Sequence, residues 1–170
     1  RHSAALRRPP AVDGSHRARE EVPGSGRTAR EELELPKVIQ RIAIISSETA
    51  AGYQDFMNQL ITNNSNYVFY TRLFPSVMQG VQAEESIIRS LEVVYSYEKL
   101  FDVVVIIRGG GSQADLNCFN NYVLASHIAQ FPLPVLTGIG HDKDESVADI
   151  VAHTKLKTPT AAAEFILQHN

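Results

Sequence analysis

Two short stretches carry the residue types that could handle a phosphoester. In VVVIIRGGGSQADL, Val103 to Leu116, a β-branched run ends in Arg108, three glycines (Gly109, Gly110, Gly111) and Ser112. Glycines let the backbone turn successive N–H groups toward one anion, and the N-terminus of a following helix adds a favourable dipole. An arginine at the strand exit can grip a phosphate with two N–H groups at once, and Ser112 can cap the helix or donate a hydrogen bond. The spacing is that of neither a P-loop, which requires Gly-Lys-Ser/Thr, nor a GxGxxG fingerprint. In the second stretch, GIGHDKD, His141 directly follows Gly140, with Asp142 and Asp144 beside it. A histidine there can act as general acid or base near neutral pH, and an aspartate can orient it. Bland readings account for the same residues: a plain strand-to-helix turn for the first, a solvated polar turn for the second.

The elements that would have to position these groups follow from the apolar pattern. RIAIISS (Arg41–Ser47) is a short buried-strand run, and Tyr53, Phe56, Met57, Leu60 and Ile61 then recur at helical spacing. YVFYTRLF (Tyr67–Phe74) reads as a second strand, and Ile87, Ile88, Leu91, Val94 and Tyr95 mark a second helix. FDVVVIIRG is the third strand, with Leu116, Phe119, Val123 and Ile128 on a third helix. PVLTGIG is the fourth strand, SVADIVAH a short helical turn, and TPTAAAEFILQ opens a last helix with Pro159 at an early position. Strands that are continuously apolar and alternate with helices specify a doubly wound α/β fold. Its mostly parallel sheet has about four or more strands, with helices on both faces. Ligands of such sheets bind beyond the carboxyl ends of the strands, where strand order reverses. Four exits would converge there: SSETAAGYQD with Asp55, FPSVMQG with Gln79 and Gly80, RGGGS, and GIGHDKD.

Composition narrows the classes. The chain has 170 residues, 44% of them hydrophobic, which suits one domain with a real core. No apolar run approaches the roughly 20 residues of a membrane span, and the N-terminal stretch has basic residues without the apolar centre of a signal peptide. The single cysteine, Cys118, excludes an intramolecular disulfide and thiolate-rich zinc sites; it fits a reducing, cytoplasmic setting and reads as a small buried hydrophobe. His127, His153 and His169 read as structural. Residues 1–34 are rich in Arg, Ala, Gly, Ser and Pro without apolar periodicity, and are expected to be disordered or an appended, non-family segment. From Pro36 onward nine of the 16 basic and 13 of the 19 acidic residues remain, a balance of about −4. Such a surface is a poor general binder of nucleic acid, so any such role needs a local site or help from elsewhere. The residues alone leave open phosphoester hydrolysis, phosphate or nucleotide binding without hydrolysis, and a purely structural core.

From Leu35 to the C-terminus the chain resembles the catalytic domain of the exodeoxyribonuclease VII large-subunit family. The likeness rests on RIAIISSETAAGYQDF, FPSVMQGVQA, RGGGSQADLNCFN, PVLTGIGHDKDESVADIVA and TPTAAAEF, in that order. The resemblance implies cleavage of single-stranded DNA from either end to short oligonucleotides. The family's acidic residue after strand one falls on Asp55, its arginine on Arg108, and the His and Asp of its GHxxD element on His141 and Asp144. Arg108 would hold phosphate and transition-state charge. His141 would be general acid or base, Asp144 its orienter, and Asp55 a second carboxylate for water activation. Gly109, Gly110, Gly111, Ser112, Gln79 and Gly80 would line the DNA. The cofactor is unknown; a divalent metal such as Mg, on Asp55 and Asp144 if on any residues, is not fixed by the sequence. The small subunits would be partners, through a C-terminal region expected to be missing here, as is the family's OB-fold. Departures from the family pattern stand at Asn117, Asn121, His153 and Lys155.

Overall fold

The computed structural model describes residues 33–109, 113–140 and 145–170. Five strands form one parallel sheet in the order β2-β1-β3-β4-β5: β1 (Arg41–Ser46), β2 (Tyr70–Pro75), β3 (Val103–Ile107), β4 (Val135–Gly138) and β5 (Thr154–Leu156). The helices are α1 (Ala51–Ile61), α2 (Ala83–Ser96), α3 (Tyr122–Ala129), α4 (Val147–Val151) and α5 (Pro159–His169). The central strands β1, β3 and β4 are buried almost throughout because both faces are covered and side chains alternate between them, whereas the edge strands β2 and β5 are partly exposed. Ile42, Ile44, Val103, Val105 and Ile107 face Phe56 and Leu60 of α1 and Ala162, Ala163 and Ile166 of α5. Their neighbours Ala43, Ile45, Val104 and Ile106 face Ile87 and Leu91 of α2, Leu124 and Ile128 of α3, and Ala148 of α4. Among the described residues no helix is long and apolar enough to cross a membrane.

The doubly wound expectation holds, and three details differ from the reading of the sequence. The expected third helix is two elements: a 3₁₀ segment, Gln113–Asn120, and α3. They are split because the side chain of Asn121 accepts from Val123 N (2.7 Å) and Leu124 N (3.0 Å), starting a fresh helix; Val123 is consequently on the exposed side. The second strand begins at Tyr70 rather than Tyr67, since the Asn63 side chain ties back to Tyr67 and holds that stretch in a turn. A fifth strand, β5, is added at the sheet edge, too short at three residues to carry a periodic signal. Pro159 does begin the last helix, and the Thr158 hydroxyl caps it by accepting from Ala161 N (3.0 Å).

Candidate active site

From β1 the chain winds outward to β2, then crosses back to β3 on the other side of β1, so the strand order reverses between β1 and β3. The buried Ser46 hydroxyl spans that boundary, donating to the carbonyl of Ile107 (2.8 Å). Arg108 is the next residue. Its backbone N–H bonds to Gly138 O (3.1 Å), extending the ladder one step past β3, and the residue is only 4% exposed.

A cavity of about 650 Å³ opens here, walled by the exits of three strands. Ser47, Glu48, Thr49 and Ala50 come from β1, Pro75 to Gln79 from β2, Arg108 and Gly109 from β3, and Ser86 from α2. Ala50 is the N-cap of α1 and makes no side-chain cap, so the positive end of an 11-residue helix opens onto the same space. The arginine, the start of the glycine loop and a helix N-terminus thus share one wall, an arrangement suited to an anion.

Two glycines bring these parts together. A Cβ on Gly109 would stand 2.6 Å from Gly52 Cα, and one on Gly52 would stand 2.7 Å from Gly109 N and 2.7 Å from Pro159 Cγ. The first turn of α1 therefore lies backbone to backbone against the strand-three exit. Gly52 escaped the reading of the sequence; the signal was a glycine in the first turn of a helix, where alanine would otherwise be preferred.

Of the expected site residues, Arg108, Gly109 and Gln79 meet at this cavity. Gly80 does not line it; it turns the chain into α2 with a positive φ of 85°. Asp55 is exposed on α1 and is not part of the wall, whereas Glu48 is. Gly110, Gly111, Ser112, His141, Asp142 and Asp144 lie outside the described residues. Among the described residues no group of three or more His, Cys, Asp or Glu side chains is placed to hold a metal ion. Burial pushes the Cys118 thiol above its ordinary value, against the pull of the nearby Arg108 charge.

Residues 28–170 match the family described as "Exonuclease VII, large subunit". The chain belongs to that family. It is 36% identical over 134 residues to the exodeoxyribonuclease 7 large subunit of Clostridium tetani, covering 79% of this chain and 33% of that protein. The Shewanella denitrificans protein of the same name is 38% identical over 134 residues, 79% of this chain and 29% of its own length. That of Acaryochloris marina is 38% identical over 133 residues, 78% of this chain and 31% of its own. The chain spans about a third of the length of these curated relatives.

For an exonuclease VII large-subunit chain, the segment that follows the GHDKD stretch is held on every side. Lys155 of β5 pairs with Glu145 (3.0 Å). Ser146 caps α4 and is tied to the buried Asp149, whose carboxylate accepts from the Ser146 hydroxyl (2.7 Å), Ser146 N (3.2 Å) and the Thr137 hydroxyl of β4 (2.8 Å). Val147 N donates to the Asn120 side chain (3.1 Å), joining the end of the 3₁₀ segment to the start of α4. The positions expected to depart from the family pattern lie outside the cavity lining. Asn121 caps α3, and Asn117 is exposed. His153 bonds through Nε2 to the Leu33 carbonyl (2.8 Å) and through Nδ1 to Thr154 Oγ1 (2.8 Å). His169 donates to the Pro36 carbonyl (2.7 Å), and His127 Nδ1 to that of Val123 (2.8 Å), so all three histidines have structural partners.

Proposed function

We propose that this chain is the catalytic core of an exodeoxyribonuclease that hydrolyses phosphodiester bonds in single-stranded DNA, working from both ends to short oligonucleotides. One observation carries the proposal: a nearly buried arginine at the topological switch point shares a cavity wall with the start of a glycine-rich loop and an uncapped helix N-terminus. Phosphoryl transfer asks a protein mainly for positioning and for donors aimed where negative charge collects. Arg108 bears on the non-bridging oxygens of the scissile phosphate, and the dipole of α1 adds to its field. His141 moves the proton, either from the attacking water or to the leaving oxygen, with Asp144 orienting its ring. Asp55 supplies a second carboxylate from outside the wall, for water activation or a divalent ion such as Mg. The exonuclease's small subunits are its partners, through a region C-terminal to this chain, and the work on DNA is cytoplasmic. A phosphate-binding module without hydrolysis is disfavoured, because the relatives at 36–38% identity are exodeoxyribonucleases.

The test uses single-stranded DNA labelled at either end and the assembled enzyme, with magnesium and with EDTA. Arg108→Lys keeps the charge but loses the planar fork, and should lower kcat/KM by roughly 100-fold or more; Arg108→Ala should lower it further. His141→Ala should abolish cleavage. An Arg108→Ala enzyme that cleaves at the normal rate removes the arginine from the mechanism.

A further inference from the structure

We infer that the cavity is a nucleoside subsite as well as a phosphate site. Its second wall, Val77 and Met78 in the loop after β2, receives the sugar and base next to the scissile phosphate. This rests on the proposed nuclease reading of Arg108 and adds to it what holds the rest of the nucleotide.

The register sets the scale. Pro75 pairs with Ser46, and Ile45 with Ile106, so the residues following β1, β2 and β3 emerge at one level. Two strand spacings, roughly 10 Å, separate the β3 exit from the β2 exit. A phosphate against Arg108 therefore has room toward β2 for one nucleoside. The cavity volume, about 650 Å³, falls within the range of small-molecule sites, roughly 300–1,000 Å³.

The chemistry of the two walls differs accordingly. The β3 side offers a cation and backbone. The β2 side offers Pro75, Val77 and Met78, with Gln79 beyond them. Val77 is 45% exposed, so its apolar surface is within reach of a ligand in the cavity, whereas Met78 is 5% exposed and backs the wall from the core. Its loop is not loose: Val77 N donates to the Ser86 hydroxyl (2.8 Å), and the buried Ser76 hydroxyl bonds to Ser90 (2.6 Å) and to the Phe74 carbonyl (3.1 Å). Two hydroxyls of α2 thus hold the wall in place before any ligand arrives. An apolar wall reads no hydrogen-bonding edge, so it accepts all four bases, as digestion of any sequence requires.

The experiment compares an ordinary end-labelled single strand with one carrying a run of abasic nucleotides through the cleaved region. Each is digested by the assembled enzyme bearing wild-type Val77, Val77→Ser or Val77→Ile. The wild type should show the lower KM on the intact strand. Val77→Ser should shrink that preference by roughly threefold to tenfold, through KM rather than kcat, while Val77→Ile, which keeps the wall apolar, should retain it. A preference that survives Val77→Ser unchanged overturns the proposal, as does Val77→Ile behaving like Val77→Ser, which would place the effect in the loop backbone. Arg108→Lys on the same two strands separates this from the underlying reading. Loss of kcat on both with no effect at Val77 sinks the subsite alone, whereas full activity of Arg108→Lys on both sinks the phosphate site with it.

Discussion

Replacing Gly52 with alanine sets two effects of opposite sign against each other. In an ordinary helix the change would stabilise by up to about 1 kcal/mol, because alanine has the higher helix propensity. Here the new methyl would sit 2.7 Å from Gly109 N, 2.8 Å from Gly109 Cα and 2.7 Å from Pro159 Cγ. Two of the three obstacles are backbone and the third belongs to a proline ring, so none can rotate away. Relief requires moving α1 off the β3 exit, and over-packing of this kind costs about 1–3 kcal/mol. We therefore expect a net loss of about 1–2 kcal/mol, read as a Tm lower by roughly 3–8 °C. The effect on cleavage should be larger than the effect on stability. Gly109 follows Arg108 directly, and a misplacement of about 1 Å in a positioned group can cost roughly 100-fold in rate. The assay pairs thermal melts with kcat/KM on end-labelled single strands, beside Ala51→Gly. That control loses helix propensity in the same turn without adding a methyl, and should lower Tm while leaving kcat/KM within about threefold. A Gly52→Ala enzyme at least as stable as wild type and fully active would refute the backbone-to-backbone contact and the argument built on it.

Two further outcomes test the scaffold. Asp149→Ala strands the buried hydroxyls of Thr137 and Ser146, and should cost about 2–4 kcal/mol by urea unfolding; a loss below about 1 kcal/mol would mean those groups find other partners. Partial burial raises Asp102, but hydrogen bonds from the Arg41 side chain and from the backbone N–H groups of Arg41 and Gln40 outweigh it, leaving the carboxyl below its usual range. A carboxylate depressed in the folded state contributes stability above its unfolded pKa, about 3.9, and loses it as pH falls through the folded value. The Tm gap between wild type and Asp102→Asn should therefore be full at pH 6 and close below about pH 4; a gap that widens on acidification would reverse the sign.

How much of this was legible in the sequence depended on whether one residue or a pattern carried the signal. Continuous apolar runs gave β1, β3 and β4, because burial on both faces leaves no alternation to misread, while β2, partly exposed at the sheet edge, was read from its aromatic and β-branched content. The switch point followed from strand order, and with it the meeting of Arg108, Gly109 and Gln79. Gly52 was missed because its reason is a neighbour 57 positions away in the chain, which no local pattern records. Asp55 was named for its position in a motif, and a motif does not give helix phase: Gly52, Phe56 and Leu60, four apart, take the inward stripe and leave Asp55 exposed, outside the lining of the cavity. β5 was invisible because Thr154–Leu156 has only three residues and joins the sheet edge through β4.

Asn121, His153 and Lys155, where the sequence was expected to depart from the family pattern, each have a structural partner. Asn121 still caps a helix, as an aspartate would, since either side-chain oxygen can accept the two N–H groups it meets. Lys155 pairs with Glu145 as a point charge, which holds the chain at residue 145 with less directional control than the planar fork of an arginine would give. His153 takes a carbonyl, that of Leu33, as its acceptor, which an ionised carboxylate at that position could not do. This bond fastens the segment before β1 to the sheet edge. None of these three residues lines the cavity at Arg108. Their partners lie in the scaffold around α3, β5 and the segment before β1, away from the cavity wall that holds Arg108.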